Sequence, residues 1–227
     1  MKSLLNKDRF WRENRIEEDL VDRARKNLNC SRVFAKLVAD RYGENHERAS
    51  LTSEPLSGSP EDVFHSPEDL PDMSEAVERI VKALEEEQKV FIQGDFDVDG
   101  LSSSALLYRG LRNLESFPGP GELKVEVGSR DSGHGISRGV SSRLIDEEFD
   151  LLITTDCGVK GVAEITHLRN FGVDVIVTDH HEPSGSLPPA LAVVDPKRDD
   201  SDYPNSYLAG AGVAYKLVQG LFNEIGD

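Results

Sequence analysis

The sequence predicts an α/β fold, a parallel sheet flanked by helices, with a helical N-terminal lead-in. Three observations predict it. From Met73 onward, short apolar runs of strand length alternate with longer segments of helical periodicity, the pattern of β–α–β units. The three clearest runs, Val90–Ile92, Leu151–Thr155 and Val173–Val177, each lead into aspartate or histidine. In a parallel sheet the carboxyl ends of the strands share one edge, where ligands bind.

Residues 1–50 read as helical. Leu20, Val21, Ala24 and Leu28 fall at helical spacing, Asn29 and Ser31 offer caps, and a second run from Val33 continues to a stop at Gly43. Phe10 and Trp11 read as a packing patch. Residues 50–73 are rich in Ser, Pro, Glu and Asp, with Pro55, Pro60, Pro67 and Pro71, which suits a linker or strap. The expected division is therefore a helical region and linker over 1–72 and an α/β domain over 73–227. Ser74 is placed to cap a helix whose buried face would be Ala76, Val77, Ile80, Val81 and Leu84. After the first strand comes an acidic loop, a turn at Gly100 and a helix beginning at Ser102. Pro118 to Gly121 marks a turn and Leu123–Val127 a strand. A glycine-rich polar loop over 128–140 precedes a short helix, Ser141–Glu148. Beyond Leu151–Thr155 follow a helix over Val162–Asn170, the strand Val173–Val177, a short run Leu191–Val194 ending at Asp195-Pro196, and a closing helix over Ala209–Asn223.

The chain has 227 residues, 37% hydrophobic and 30% charged, as expected of a globular protein with a sizeable core. No apolar run approaches the ~20 residues of a membrane span, and the charged N-terminus has no signal-peptide core. The expectation is a cytoplasmic protein without membrane contact. Cys30 and Cys157 are far apart, which suits two reduced thiols, with Cys157 a packed residue. A net charge of −16 argues against broad electrostatic binding of nucleic acid, but not against an enzyme that reaches phosphates through bound metals.

The chemistry concentrates at Asp95, Asp97 and Asp99, which follow the first strand on alternate positions. Carboxylates that crowd one another raise each other's pKa unless a cation lies between them, and oxygen-rich clusters suit hard divalent ions. Asp156 follows the next strand, and Asp179, His180 and His181 the third. A mixed oxygen and nitrogen set suits Mn²⁺ or Mg²⁺, with Zn²⁺ disfavoured because no cysteine pair contributes. Asp156, between the other strands, is placed to bridge two ions. The helix start at Ser102 would offer N–H groups to a phosphate. His46, His65 and His167 read as solvent-facing.

The segments Gly94-Asp95-Phe96-Asp97-Val98-Asp99-Gly100, Thr155-Asp156-Cys157-Gly158 and Thr178-Asp179-His180-His181 closely resemble the first three motifs of the DHH phosphoesterase superfamily. Within it the match is to the RecJ-like single-strand exonuclease branch, supported by Val194–Arg198 and Leu208–Leu217. The resemblance covers most of the chain. It implies Asp97, Asp99, Asp156 and His180 as metal ligands, and His181 facing the scissile phosphate or completing a metal site. It makes Asp95 and Asp179 residues that orient those ligands, and Arg130 a phosphate contact; His134, in the same glycine-rich loop, is a further candidate for touching the substrate. It implies two ions, a single-stranded DNA or oligonucleotide substrate, and 5′-to-3′ hydrolysis by a metal-activated water in repair or recombination. Two departures stand out. Gln93 lies where some members carry a histidine, and the fourth motif, which supplies a further aspartate, is not reached by residue 227. The expectation is the N-terminal portion of a RecJ-like protein, its site completed by a further domain or a second chain. Two alternatives remain open: a phosphodiesterase of short oligonucleotides or cyclic dinucleotides, and an inactive fragment that binds a partner.

Overall fold

The computed structural model describes residues 16–29, 31–42, 65–114, 118–129 and 135–226. Phe10, Trp11, Cys30, Gly43, His46, Arg130 and His134 lie outside them. The chain divides into two compact units, residues 1–64 and 65–227.

In the first unit, α1 (Glu18–Leu28) and α2 (Arg32–Tyr42) pack through Val21, Ala24, Ala35, Val38 and Ala39. Asn29 ends α1 in the left-handed conformation, φ 45°, and its N–H donates to the Arg25 carbonyl. Ser31 Oγ accepts from the Phe34 N–H at 3.3 Å, the bond of an N-cap.

The second unit opens with a 3₁₀ turn, Pro67–Asp69, followed by α3 (Met73–Glu85). Ser74 does not cap this helix. Asp72, at φ 54°, takes the N-cap position, and its carboxylate is drawn away to accept from the Val193 N–H and the Arg198 guanidinium. Strand β1 (Lys89–Gly94) leads into α4 (Val98–Arg112), and β2 (Glu122–Val127) into α5 (Arg138–Asp146). Then come β3 (Leu151–Thr155), α6 (Val162–Asn170), β4 (Asp174–Thr178), β5 (Ala192–Val194) and α7 (Gly210–Ile225). Helix α5 starts three residues earlier than expected because Ser137 Oγ accepts from the Val140 N–H.

The five strands are all parallel, in the order β2-β1-β3-β4-β5. Alternate residues of a strand face opposite sides of a sheet, and the core divides accordingly. On one side Val90, Ile92, Leu151, Ile153 and Ile176 pack with Ile80 of α3, Leu107 and Leu111 of α4, and Val213 and Leu217 of α7. On the other, Phe91, Leu152, Val175 and Val177 pack with Leu144 of α5 and Ile165 and Leu168 of α6. Burying each such side chain contributes roughly 1.5–3 kcal/mol. The sheet is thus covered on both faces, and its carboxyl-end edge is where polar groups collect.

Candidate metal centre

Register aligns the ends of four strands. Gly94 pairs with Thr155, Thr155 with Thr178, and Thr178 with Val194, so the residues that follow, Asp95, Asp156, Asp179 and Asp195, form a row. Backbone bonds hold that row together: Asp95 N–H to the Thr155 carbonyl, Asp156 N–H to Thr178, and Asp179 N–H to Val194, at 3.3, 2.9 and 3.1 Å. All four aspartates are buried.

Helix α4 begins one turn earlier than the sequence suggests. Asp97 is its N-cap and accepts from the Gly100 N–H at 3.0 Å, so Asp99 lies in the first turn and Gly100 inside the helix. Gly100 is needed there because a Cβ would come within 2.4 Å of the Asp95 carbonyl oxygen. Ser102 is therefore not at the helix start. It lies on the exposed second turn, and its hydroxyl donates back to the Val98 and Asp99 carbonyls at 2.8 and 3.0 Å. Arg130 and His134, the other expected substrate contacts, fall outside the described residues.

Asp156 is the centre of the arrangement. It turns out of β3 at φ 61°, a left-handed conformation that aspartate tolerates better than most residues. Donor atoms of Asp95, Asp97 and Asp156 lie within 4.8 Å of one another, and so do those of Asp156, His180 and His181. Asp156 belongs to both groups. Asp95 and His181 thus stand at ligand distance, while Asp99 belongs to neither group. Its Oδ2 and Oδ1 accept from the Gly210 and Ala211 N–H groups at the start of α7, both at 2.8 Å, and Oδ2 lies 3.7 Å from His180 Nε2.

The donor set fits a hard divalent cation. Asp156 Oδ1 is buried and accepts no hydrogen bond, although His180 Nε2 is only 3.0 Å away. Burial, followed by the neighbouring Asp99 and Asp97 carboxylates, pushes the Asp156 carboxyl up to about 7. An orphaned oxygen facing an imidazole nitrogen among carboxylates is the environment that a bound cation relieves.

Asp179 belongs to neither group of donors. It accepts from the N–H groups of Val159, His180 and His181 at 2.9, 2.7 and 3.1 Å, and its Oδ1 lies 2.7 Å from His181 Nδ1. Burial would raise its pKa, but the His181 ring and the Val159 N–H outweigh it and hold the carboxyl below its ordinary value. The same pairing raises the His181 imidazole, against burial. Asp179 therefore holds the ring through Nδ1, the role carboxylates play behind metal-bound histidines.

Asp195 was not among the residues expected at the site. It is fully buried, accepts from the Lys197 N–H at 2.8 Å through one oxygen, and leaves Oδ2 without a partner. Burial pushes it up to about 7, opposed by the Lys197 N–H and reinforced by Asp179. The signal was present: the run Leu191–Val194 ends in aspartate as the other three strands do, but Asp-Pro also reads as an ordinary turn. Cys157 is buried and its thiol donates to the Gln93 carbonyl at 3.7 Å; burial, then Asp179 and Asp95, raises it well above its usual value. Beside the aspartates opens a cavity of about 500 Å³, lined by Asp95, Asp156, Asp179 and His181 and by the loop Cys157–Gly161.

Comparison with known proteins gives a consistent picture. Residues 89–227 match the model of the DHH family, N-terminal domain. The chain is 32% identical over 220 residues to the single-stranded-DNA-specific exonuclease RecJ of Bacillus subtilis, covering 96% of this chain and 27% of that protein. It is 38% identical over 165 residues to RecJ of Haemophilus influenzae, covering 71% and 28%. Among solved structures it resembles exonuclease RecJ bound to manganese, with TM-score 0.61, 34% identity, and 69% and 39% of the two chains covered. It also resembles Thermus thermophilus RecJ in complex with Mn²⁺, with TM-score 0.60, 27% identity, and 92% and 28% covered. The chain spans about a quarter of the length of these curated relatives.

Proposed function

Because the chain belongs to the DHH family, we propose that it carries a two-ion centre hydrolysing phosphodiester bonds of single-stranded DNA, 5′ to 3′, in repair or recombination. The observation that carries this reading is the sharing of Asp156 between two groups of donors, one of carboxylates and one with two imidazoles. Asp97, Asp156 and His180 would hold Mn²⁺ or Mg²⁺, with Asp95 and His181 at ligand distance and Asp99 adding a lone pair beside its bonds to α7. Bound there, such ions supply a nucleophilic water at neutral pH and neutralise charge on the leaving oxygen.

The chain's own residues do the rest. Asp179 holds the His181 ring through Nδ1 on the cavity wall, where the other ring nitrogen would meet the scissile phosphate. Asp97 fixes the start of α4, and through it Asp99 fixes the start of α7 against Asp156. The cavity beside them, about 500 Å³, has room for a nucleotide. A further domain or second chain supplying another aspartate and a grip on the strand belongs to this reading, as does action in the cytoplasm. Among the described residues, no helix is long and apolar enough to cross a membrane.

The test is to add Mn²⁺ to the purified chain with 5′-labelled single-stranded DNA and, separately, a dinucleotide. Loss of label from long DNA is the expected result. Cleavage of the dinucleotide alone would replace this reading with a small-substrate phosphodiesterase. Metal binding without turnover would favour a partner-binding module.

A further inference from the structure

We propose that Lys160 is a substrate-phosphate contact of this chain, holding the phosphodiester that enters the cavity beside the aspartates; this rests on the reading above. The cavity wall presents four carboxylates, Asp95, Asp156, Asp179 and Glu164, together with His181. Without bound cations, a phosphodiester meets mostly repulsion there. Among the described residues lining the cavity, Lys160 is the one lysine or arginine. Its side chain is exposed, and its ammonium makes no hydrogen bond or ion pair among the described residues, although the chain has 42 acidic groups against 26 Lys and Arg. The charge is close enough to His181 to oppose protonation of that ring.

The backbone that carries Lys160 is fixed. Thr154 Oγ1 donates to the Cys157 carbonyl at 2.6 Å, Val159 N–H donates to Asp179 Oδ2 at 2.9 Å, and Gly161 N–H returns to the Gly158 carbonyl at 2.9 Å. Gly158 adopts φ 113°, where a Cβ would strike Thr154 Oγ1 at 2.6 Å, so the loop has little freedom to rearrange. A lysine on a pinned loop, over an acidic cavity and without a partner among the described residues, is poised for an anion delivered from outside. Exposed lysines commonly serve only solubility, and the test separates that role from this one.

The probe is a fluorescein-labelled single-stranded oligothymidylate of about 20 nucleotides, titrated with the full chain by anisotropy, with Ca²⁺ in place of Mn²⁺ to hold turnover and at several salt concentrations. Each phosphate contact adds about 0.7 to the slope of log affinity against log salt for a single strand. Lys160→Ala is expected to weaken binding about tenfold and to lower the slope by about 0.7, and Lys160→Arg to restore both. Lys82→Ala controls for net charge: Lys82 is exposed in the last turn of α3, which precedes β1 and so lies at the opposite edge of the sheet. If Lys160→Ala matches Lys82→Ala in affinity and slope while the unaltered chain binds, the assignment of Lys160 falls alone. If the unaltered chain neither binds the oligonucleotide nor cleaves any phosphodiester with Mn²⁺, the functional reading falls and takes the assignment with it.

Discussion

The N–H of Gly210 donates to Asp99 Oδ2 at 2.8 Å, so a carboxylate in the first turn of α4 also anchors the first turn of α7. That anchoring brings the α7 backbone against the floor of the site. A Cβ at Gly210 would lie 2.4 Å from Asp156 Oδ1 and 2.7 Å from Asp156 Cβ. Gly210→Ala must therefore move either the helix or the central carboxylate. The expected outcome is a loss of Mn²⁺ affinity of tenfold or more, with an overpacking cost of about 1–3 kcal/mol in thermal unfolding. Calorimetric metal titration beside a melting curve checks both.

Asp179 is bonded to the His181 ring and belongs to neither group of donors, so Asp179→Asn should act through the ring. Without the carboxylate the His181 pKa drops towards its ordinary value, because the largest contribution raising it is that hydrogen bond. Losing such a supporting carboxylate costs about 10–100-fold in metal affinity or rate. NMR titration of the His181 ring, with Mn²⁺ absent, reads the first effect, and turnover on labelled DNA the second. An unchanged ring titration would sink the orienting role.

Stability of the metal-free chain should fall as pH rises from 5 to 8. The folded chain keeps protons on Asp156 and Asp195 up to about 7, whereas the unfolded chain has released them well below pH 5. Between those limits the folded state binds more protons, so raising pH favours unfolding. The raised His181 adds loss of stability in the same direction above its unfolded value. Asp179, held low, works oppositely, but only at pH near and below its ordinary value. Melting temperature measured in EDTA is expected to decline across this range. Asp156→Asn and Asp195→Asn should each flatten the decline.

A quieter contact also bears on the site. Ser104 Oγ, on the buried face of α4, lies 2.8 Å from Thr155 Oγ1, immediately before Asp156, and donates to the Gly100 carbonyl. Ser104→Ala leaves the Thr155 hydroxyl without this partner and is expected to cost about 1 kcal/mol. Urea unfolding measures it, and a neutral result would mean that α4 is held to the sheet by its apolar contacts alone.

Much of this arrangement is legible in the sequence because strands buried on both faces write themselves as apolar runs. Leu151–Thr155 and Val162–Asn170 are found at the expected residues. The start of α4 was missed because its N-cap is one of three aspartates in a row of alternating acids, and nothing local says which one caps. Gly100 looked like a turn, but its missing side chain serves the close approach of Asp95, a tertiary contact with no local signature. The same holds for Asp99, whose partners lie more than a hundred residues away. Asp195 ends a visible apolar run, but the proline that follows gives it the look of an ordinary turn.

The central claim is that Asp156 is shared between two ions. The most direct measurement is the stoichiometry of Mn²⁺ binding by calorimetry, for the unaltered chain and for Asp156→Asn. Two ions are expected in the first and loss of both at comparable concentrations in the second. Two ions still bound with unchanged affinity after Asp156→Asn would contradict it.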